Sequence, residues 1–313
     1  MPDQVKSGHV SQLKAIAIAA AGIAVLCGMD GVIKHLVATN DVLVVTLGRY
    51  IFGAAFALLI WVRSGRPGLT RDMWVAHSKR GVVIAFAATS FFWCLSVLPL
   101  AEVIVITFIA PLLVPFMARV VLGERIRPRS MIAGLAGFAG VIVAAAGGDN
   151  FAPDNQRLLG IAAALFSAVT YALSVTLLRG RASKDGPVVI GVLGAVIPGA
   201  IIAIPAMATG ALPPAGDLPD FLALGALAAT GMYLLARAYG HAEAQVLAPL
   251  EYTALIWAAM VGFFFFGEVP RPQVWVGAAI IVAACLWGAQ KGKEPLLTPF
   301  APGAPLPGER AAE

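Results

Sequence analysis

The chain has 313 residues, 59% of them hydrophobic and 12% charged, with a mean hydropathy of +0.86 and a formal net charge of +5. Soluble globular proteins carry about 25% charged residues, so half the usual surface charge is missing and a soluble two-domain protein is excluded. The positive balance does not indicate nucleic acid, because the basic residues fall in short loops between apolar runs and not on one folded face.

Apolar runs of about 18 or more residues recur from end to end, each long enough to cross roughly 30 Å of hydrocarbon as a helix. Lipid offers backbone groups no partner, so such runs are helices or strands of a closed barrel, and their length without alternation leaves helices. The expected fold is an all-α integral membrane protein with ten spans, at 14–38, 42–62, 81–98, 101–121, 130–147, 158–178, 187–209, 219–238, 243–266 and 273–289. Residues 1–12 read as a short cytoplasmic leader. The first span continues past Asp30 without a small-residue cleavage site, so it is expected as a retained helix and not a signal peptide. Residues 290–313 carry Pro295, Pro299, Pro302, Pro305 and Pro307 without an apolar period, and are expected to be a disordered cytoplasmic tail.

Charges within spans are the first candidates for function. In the first span Asp30 and Lys34 are four residues apart and share a face. Lys34 falls near the outer boundary, where it is expected to snorkel with Asp30 neutralising it; Asp30, a turn deeper, is the better cavity residue. Arg49 enters the second span about 10 Å from its outer end and needs a partner there. Asp30 and Glu102 are in reach by depth. The pairing is either a helix-locking ion pair or leaves the guanidinium fork for a carboxylate on a solute. Trp93, midway through the third span, is lipid-facing or a cavity wall, and its distance from the interface belts favours the cavity. The sixth span carries a polar stripe of Ser167, Thr170, Tyr171 and Ser174. The hydroxyls there suit interhelical packing, and Tyr171 suits an amphipathic ligand.

Glu251 falls about 12 Å into the ninth span, where a carboxylate is paired, protonated or facing water; a cavity position and a proton-coupling role are expected. Tyr252 and Trp257 lie nearby. Arg237 and Glu243 flank the turn between the eighth and ninth spans, as a gate-like salt bridge or a surface pair. Glu124 and Glu268, each before a proline-led helix, read as caps on helix N-terminal amides and not as site residues. Gly134, Gly137 and Gly140 thin one side of the fifth span for close helix approach, and Pro198 and Pro205 are expected to kink the seventh. Cys27, Cys94 and Cys285 sit in apolar runs without metal or redox spacing. His9, His35, His77 and His241 are scattered, and neither a phosphate loop nor a nucleophile motif is present. No metal, no cofactor and no enzymatic activity are therefore expected.

Counting Lys and Arg in alternate loops gives 17 on one side and only Arg157 and Arg271 on the other. Such a bias places both termini in the cytoplasm, in a cytoplasmic membrane. An internal repeat accompanies it. Leu122-Gly123-Glu124-Arg125-Ile126-Arg127-Pro128 and Phe266-Gly267-Glu268-Val269-Pro270-Arg271-Pro272 lie 144 residues apart, with Glu102 and Glu243 opening the preceding span in each half. Five spans per half is an odd number, so the second half enters the membrane inverted, the arrangement many secondary transporters use for alternating access.

The paired Gly-Glu-x-x-x-Pro elements, Arg49-Tyr50, and Ala248-Pro249-Leu250-Glu251-Tyr252-Thr253 together resemble the EamA family of the drug/metabolite transporter superfamily. The resemblance covers about residues 13–290, as two five-helix units at 13–147 and 158–289. It implies a ten-helix carrier of small organic solutes. Cavity walls mixing Trp93, Tyr171 and Trp257 with Arg49 and Glu251 suit an amino acid or related amphipathic metabolite, moved by facilitative or proton-coupled alternating access. A flippase for a lipid or lipid-linked sugar is the alternative. The expected partners are a small-molecule substrate and membrane lipids, with no nucleic acid, and the expected assembly is a monomer or homodimer.

Overall fold

A computed structural model describes residues 2–123, 128–146, 155–179, 181–209, 213–239 and 248–289. The chain forms α1 (Pro2–Val37), α2 (Val42–Arg63), α3 (Arg71–Val97), α4 (Leu100–Thr107), α5 (Ala110–Leu122), α6 (Pro128–Ala145) and α7 (Asn155–Arg179). It continues with α8 (Ala182–Asp185), α9 (Pro187–Ala208), α10 (Leu218–Tyr239), a 3-10 segment η2 (Ala248–Thr253), α11 (Ala254–Phe266) and α12 (Pro272–Ala289). No strand occurs among the described residues. Among the described residues seven helical stretches are long and apolar enough to span a membrane, and three shorter apolar helices accompany them.

Local chemistry sets the boundaries. Asp41 caps α2 by accepting from the Leu43 amide at 2.8 Å, and Thr70 caps α3 by accepting from Met73. Gly123 and Gly267 end α5 and α11 with φ of 70° and 65°, the left-handed conformation that only glycine adopts freely. Pro128 and Pro272 then open the next helices, where a missing N–H costs nothing. The duplicated Gly-Glu-x-x-x-Pro element is thus a helix stop followed by a helix start.

Two expected spans are not continuous. The fourth breaks into α4 and α5 at Phe108 and Ile109, because Pro111 has no N–H to reach the Thr107 carbonyl. The ninth opens as η2 before becoming α11, and its expected first residues, including Glu243, lie outside the described residues. The third begins ten residues earlier than expected, at Arg71, so Arg71, Lys79 and Arg80 are helical and not loop residues. α9 runs helical through both Pro198 and Pro205. The tail at 290–313 lies outside the described residues.

Helices pack through glycine. Ideal Cβ atoms on Gly140 and Gly277 would overlap the facing backbone of α12 and α6 at 2.5–3.0 Å, so the two helices cross nearly in contact. At Gly22 of α1 and Gly231 of α10 a Cβ would come within 3.3 Å of the facing backbone, a close but looser approach. Gly134 and Gly137 accommodate Phe116 and Leu112 of α5, as the thin side of this helix predicts. α3 packs chiefly on α7 and α2 on α9. The apolar core gathers around α4, every residue of which from Leu100 to Ile106 is buried.

Candidate functional site

At the end of the bundle that holds the α1–α2 turn, ion pairs join four segments: α1, α4, α7 and the turn between α11 and α12. Glu102, in the first turn of α4 and 1% exposed, accepts from Arg157 of α7 at 2.6 and 3.3 Å and from Arg271, just before α12, at 2.9 Å. Arg157 also donates to the Ala145 carbonyl at the end of α6. Beside this clamp the Lys34 ammonium meets Glu268 at 2.8 Å and donates to the Leu98 and Leu95 carbonyls at 2.6 and 3.1 Å. The other Glu268 oxygen accepts from the Leu100 amide at 2.9 Å. A cation therefore sits on the C-terminus of α3 and an anion on the N-terminus of α4, each favoured by the helix dipole. The space left among Pro99, Ala101, Glu102, Gly262 and Arg271 is about 20 Å³, room for one water and no solute. Further out, Asn40 donates to Asp217 at 2.6 Å, tying the α1–α2 turn to the segment before α10.

Deeper in the bundle the two helix breaks meet. Phe108, at the break of the fourth span, contacts Tyr252 of η2 edge-to-face at 5.5 Å, and these residues are themselves 144 apart. From Tyr252 a series of residues, each within electrostatic range of the next, runs through Glu251, Tyr171, Arg80 and Tyr50 to Arg49. Arg49 lies 5.0 Å from the Tyr50 ring centroid. Its Nε, both Nε and Nη1 of Arg80, and the Trp257 indole nitrogen are buried without a hydrogen-bond partner among the described residues. Tyr171 is 58% exposed despite its position midway along α7 and lies within electrostatic range of both Arg80 and Glu251. Glu251 is exposed within η2. Asp30 is buried, and among the described residues it forms neither an ion pair nor a hydrogen bond, though it is within electrostatic range of Arg49.

The opposite end carries a smaller cluster. Arg181 bonds Asp185 at 2.9 and 3.0 Å and Asp72 at 2.7 Å, while Asp185 contacts the buried His77 ring at 3.0 Å. The Arg181 guanidinium holds the Asp185 carboxyl below the usual carboxylate range, with the His77 contact acting in the same direction.

Several sequence expectations need correction. Lys34 neither snorkels nor pairs with Asp30; its ammonium is turned inward onto Glu268, because three acceptors converge there. Glu102 is not a partner for Arg49, having two arginines of its own. Glu268 does cap a helix, but it caps α4 and not the helix that follows it. Trp93 lies near the end of α3, not midway along it, and borders a crevice of about 590 Å³ with Asn40, Asp41, Thr89, Ser90 and Ala163. In the polar stripe Ser167 bonds the Ala87 carbonyl across to α3, while Thr170 bonds carbonyls of its own helix. Glu243 and the side chain of Arg237 lie outside the described residues. Sequence reasoning missed Arg80, Arg157 and Arg271. The last two were the sole exceptions to the charge bias, which was the available signal. For Arg80 the signal was Thr70 with Asp72, a cap that starts the helix before the apolar run.

The model of the EamA-like transporter family matches the chain twice, at residues 13–146 and 158–288. A riboflavin transporter of Rhizobium johnstonii is 29% identical over 242 residues, covering 76% of this chain and 78% of that protein. An S-adenosylmethionine uptake transporter of Rickettsia bellii is 26% identical, covering 76% and 80%. A pseudopaline exporter of Pseudomonas aeruginosa is 25% identical, covering 82% and 89%. A solved crystal structure shares the fold with a TM-score of 0.57 at 18% identity, over 91% of this chain and 96% of that one.

Proposed function

The chain belongs to the EamA-like transporter family, and from that premise we propose that it carries a small organic metabolite by alternating access between two inverted five-helix halves. Ten spans, two units at 13–147 and 158–289, and both termini in the cytoplasm of a cytoplasmic membrane are part of this reading. Its main support is that one end is closed by the Glu102 clamp and the Lys34–Glu268 pair, while among the described residues buried N–H groups of Arg49, Arg80 and Trp257 have no hydrogen-bond partner. A carrier needs that asymmetry: a closed end, and a centre that exchanges hydration for solute. Matched elements support the halves. α5 and α11 have 13 residues each, α6 and α12 have 18, and each pair starts 144 residues apart. The packing of α1 on α10 has its counterpart in α7 on α3.

Relatives named for riboflavin, S-adenosylmethionine and pseudopaline point to an amphipathic metabolite carrying polar groups. In this reading Arg49, Tyr171, Glu251, Tyr252 and Trp257 face the solute, Asp30 and Trp93 border its path, and the Glu102 clamp opens in each cycle. Transport is facilitative or proton-coupled, with Glu251 as the coupling carboxylate. The test is a thermal-shift screen of the purified protein against a metabolite library, then counterflow of the hits in liposomes with and without a proton gradient. Saturable counterflow of at least one hit is expected. Its absence for every hit refutes the transport reading, and a pH-dependent rate unaltered in Glu251→Gln refutes coupling through that residue.

A further inference from the structure

We infer that Arg49 and Arg80 form one anion-binding centre, and that the solute this chain carries is an organic acid held through a carboxylate. The inference rests on the transport reading above and names the substrate class of the same site.

The contrast among the arginines carries it. Arg157, Arg181 and Arg271 each meet a carboxylate at 2.6–2.9 Å. Arg49 and Arg80 lie within membrane spans, where an unpaired charge costs most, yet among the described residues neither forms an ion pair. Among the same residues Arg49 Nε and Arg80 Nε and Nη1 are buried with no acceptor. Both side chains are half-buried as wholes, and leaving the buried N–H groups of a guanidinium unmade is expensive, so this arrangement persists where something exchangeable completes it.

Geometry brings the two together. Tyr50, 4% exposed, has the Arg49 guanidinium 5.0 Å from its ring centroid and packs on α9 at Gly199, where a Cβ would come within 3.1 Å of its own Cβ, and it lies within electrostatic range of Arg80 as well. Its backbone neighbour Arg49 reaches from α2, and Arg80 reaches from α3 to lie against α9 at Gly194, where a Cβ would come within 3.3 Å of Nη1. The bare backbone at Gly194 leaves room for the guanidinium. Among the described residues the Trp257 indole N–H is a further buried donor without a partner. Asp30 lies within electrostatic range of Arg49, and among the described residues no ion pair or hydrogen bond joins the two. A centre offering guanidinium N–H groups in planar forks suits a carboxylate, which accepts two parallel bonds from one fork.

The experiment uses full-length protein in detergent, titrated with a panel of mono- and dicarboxylic acids, each paired with its primary amide, and followed by thermal shift. Acids are expected to stabilise the protein at concentrations at least about tenfold below their amides, the ratio set by charge-assisted hydrogen bonds. Arg80→Gln should abolish that preference. Should Arg80→Gln fail to fold, Arg80→Lys and Gly194→Ala serve instead: the first keeps charge without the fork, the second pushes Nη1 aside, and both should weaken acid binding selectively. Amides binding as well as acids, no acid binding at all, or a preference retained in these variants overturns the inference. Counterflow in liposomes separates the two readings. Acids that bind but do not exchange would sink transport alone, whereas exchange without acid preference would sink the anion centre alone.

Discussion

Replacing Glu102 by Gln tests whether the clamp holds one end of the protein shut. The carboxylate is 1% exposed and serves two guanidinium groups at once, whereas an amide has one acceptor oxygen and turns N–H donors toward the second arginine. Removing one partner from a buried ion pair costs about 3–5 kcal/mol. Here Arg157 and Arg271 are 24% and 27% exposed and regain some hydration, so about 2–3 kcal/mol of the closed-state preference should be lost. That corresponds to a change of about 30- to 150-fold in the ratio of closed to open forms. The readout is labelling of Ala101→Cys, which lines the sealed space and is 3% exposed, by a membrane-impermeant maleimide. The chain's own cysteines, Cys27, Cys94 and Cys285, are buried and give little background. Labelling should accelerate many-fold when Glu102→Gln is added. A rate within about twofold of the parent, alongside a lowered unfolding temperature, would refute the reasoning: the clamp would then stabilise the fold without governing access.

Three further outcomes follow from the same contacts. Lys34→Met should lower thermal stability by about 2–4 kcal/mol because Glu268 loses its cation; Lys34→Arg should not restore it, since a planar fork cannot converge on three acceptors around one nitrogen. Unfolding in detergent reads both, and adding Glu268→Gln to Lys34→Met should cost less than the sum of the single changes. Gly277→Ala should cost about 1–3 kcal/mol by overlap with the α6 backbone, whereas Gly28→Ala, with open space at its Cβ, should be neutral or gain up to about 1 kcal/mol. Asp185 titrates below its unfolded value, so its contribution is present above about pH 4 and disappears as pH falls through the lower folded value. The stability of Asp185→Asn should therefore vary less than that of the parent across that acidic window.

The sequence alone determined the membrane class, nearly all the helix positions and the duplicated Gly-Glu-x-x-x-Pro turns, because these depend on local properties: length of apolar run, a left-handed glycine, a proline at a helix start. It also isolated Arg157 and Arg271, although only as exceptions in a charge count. The pairing of charges was decided by tertiary structure. Asp30 and Lys34 share a face of α1, yet Lys34 bonds a residue 234 positions away, because ion pairs form across helices wherever packing brings acceptors together. The same holds for Arg80, which looked like a loop cation until α3 extended back to Arg71 and laid it against Gly194. Tyr252 stood out in the sequence beside Glu251, whereas Phe108 was an ordinary aromatic in an apolar run; the breaks in two helices, and the packing that brings those breaks together, placed one against the other.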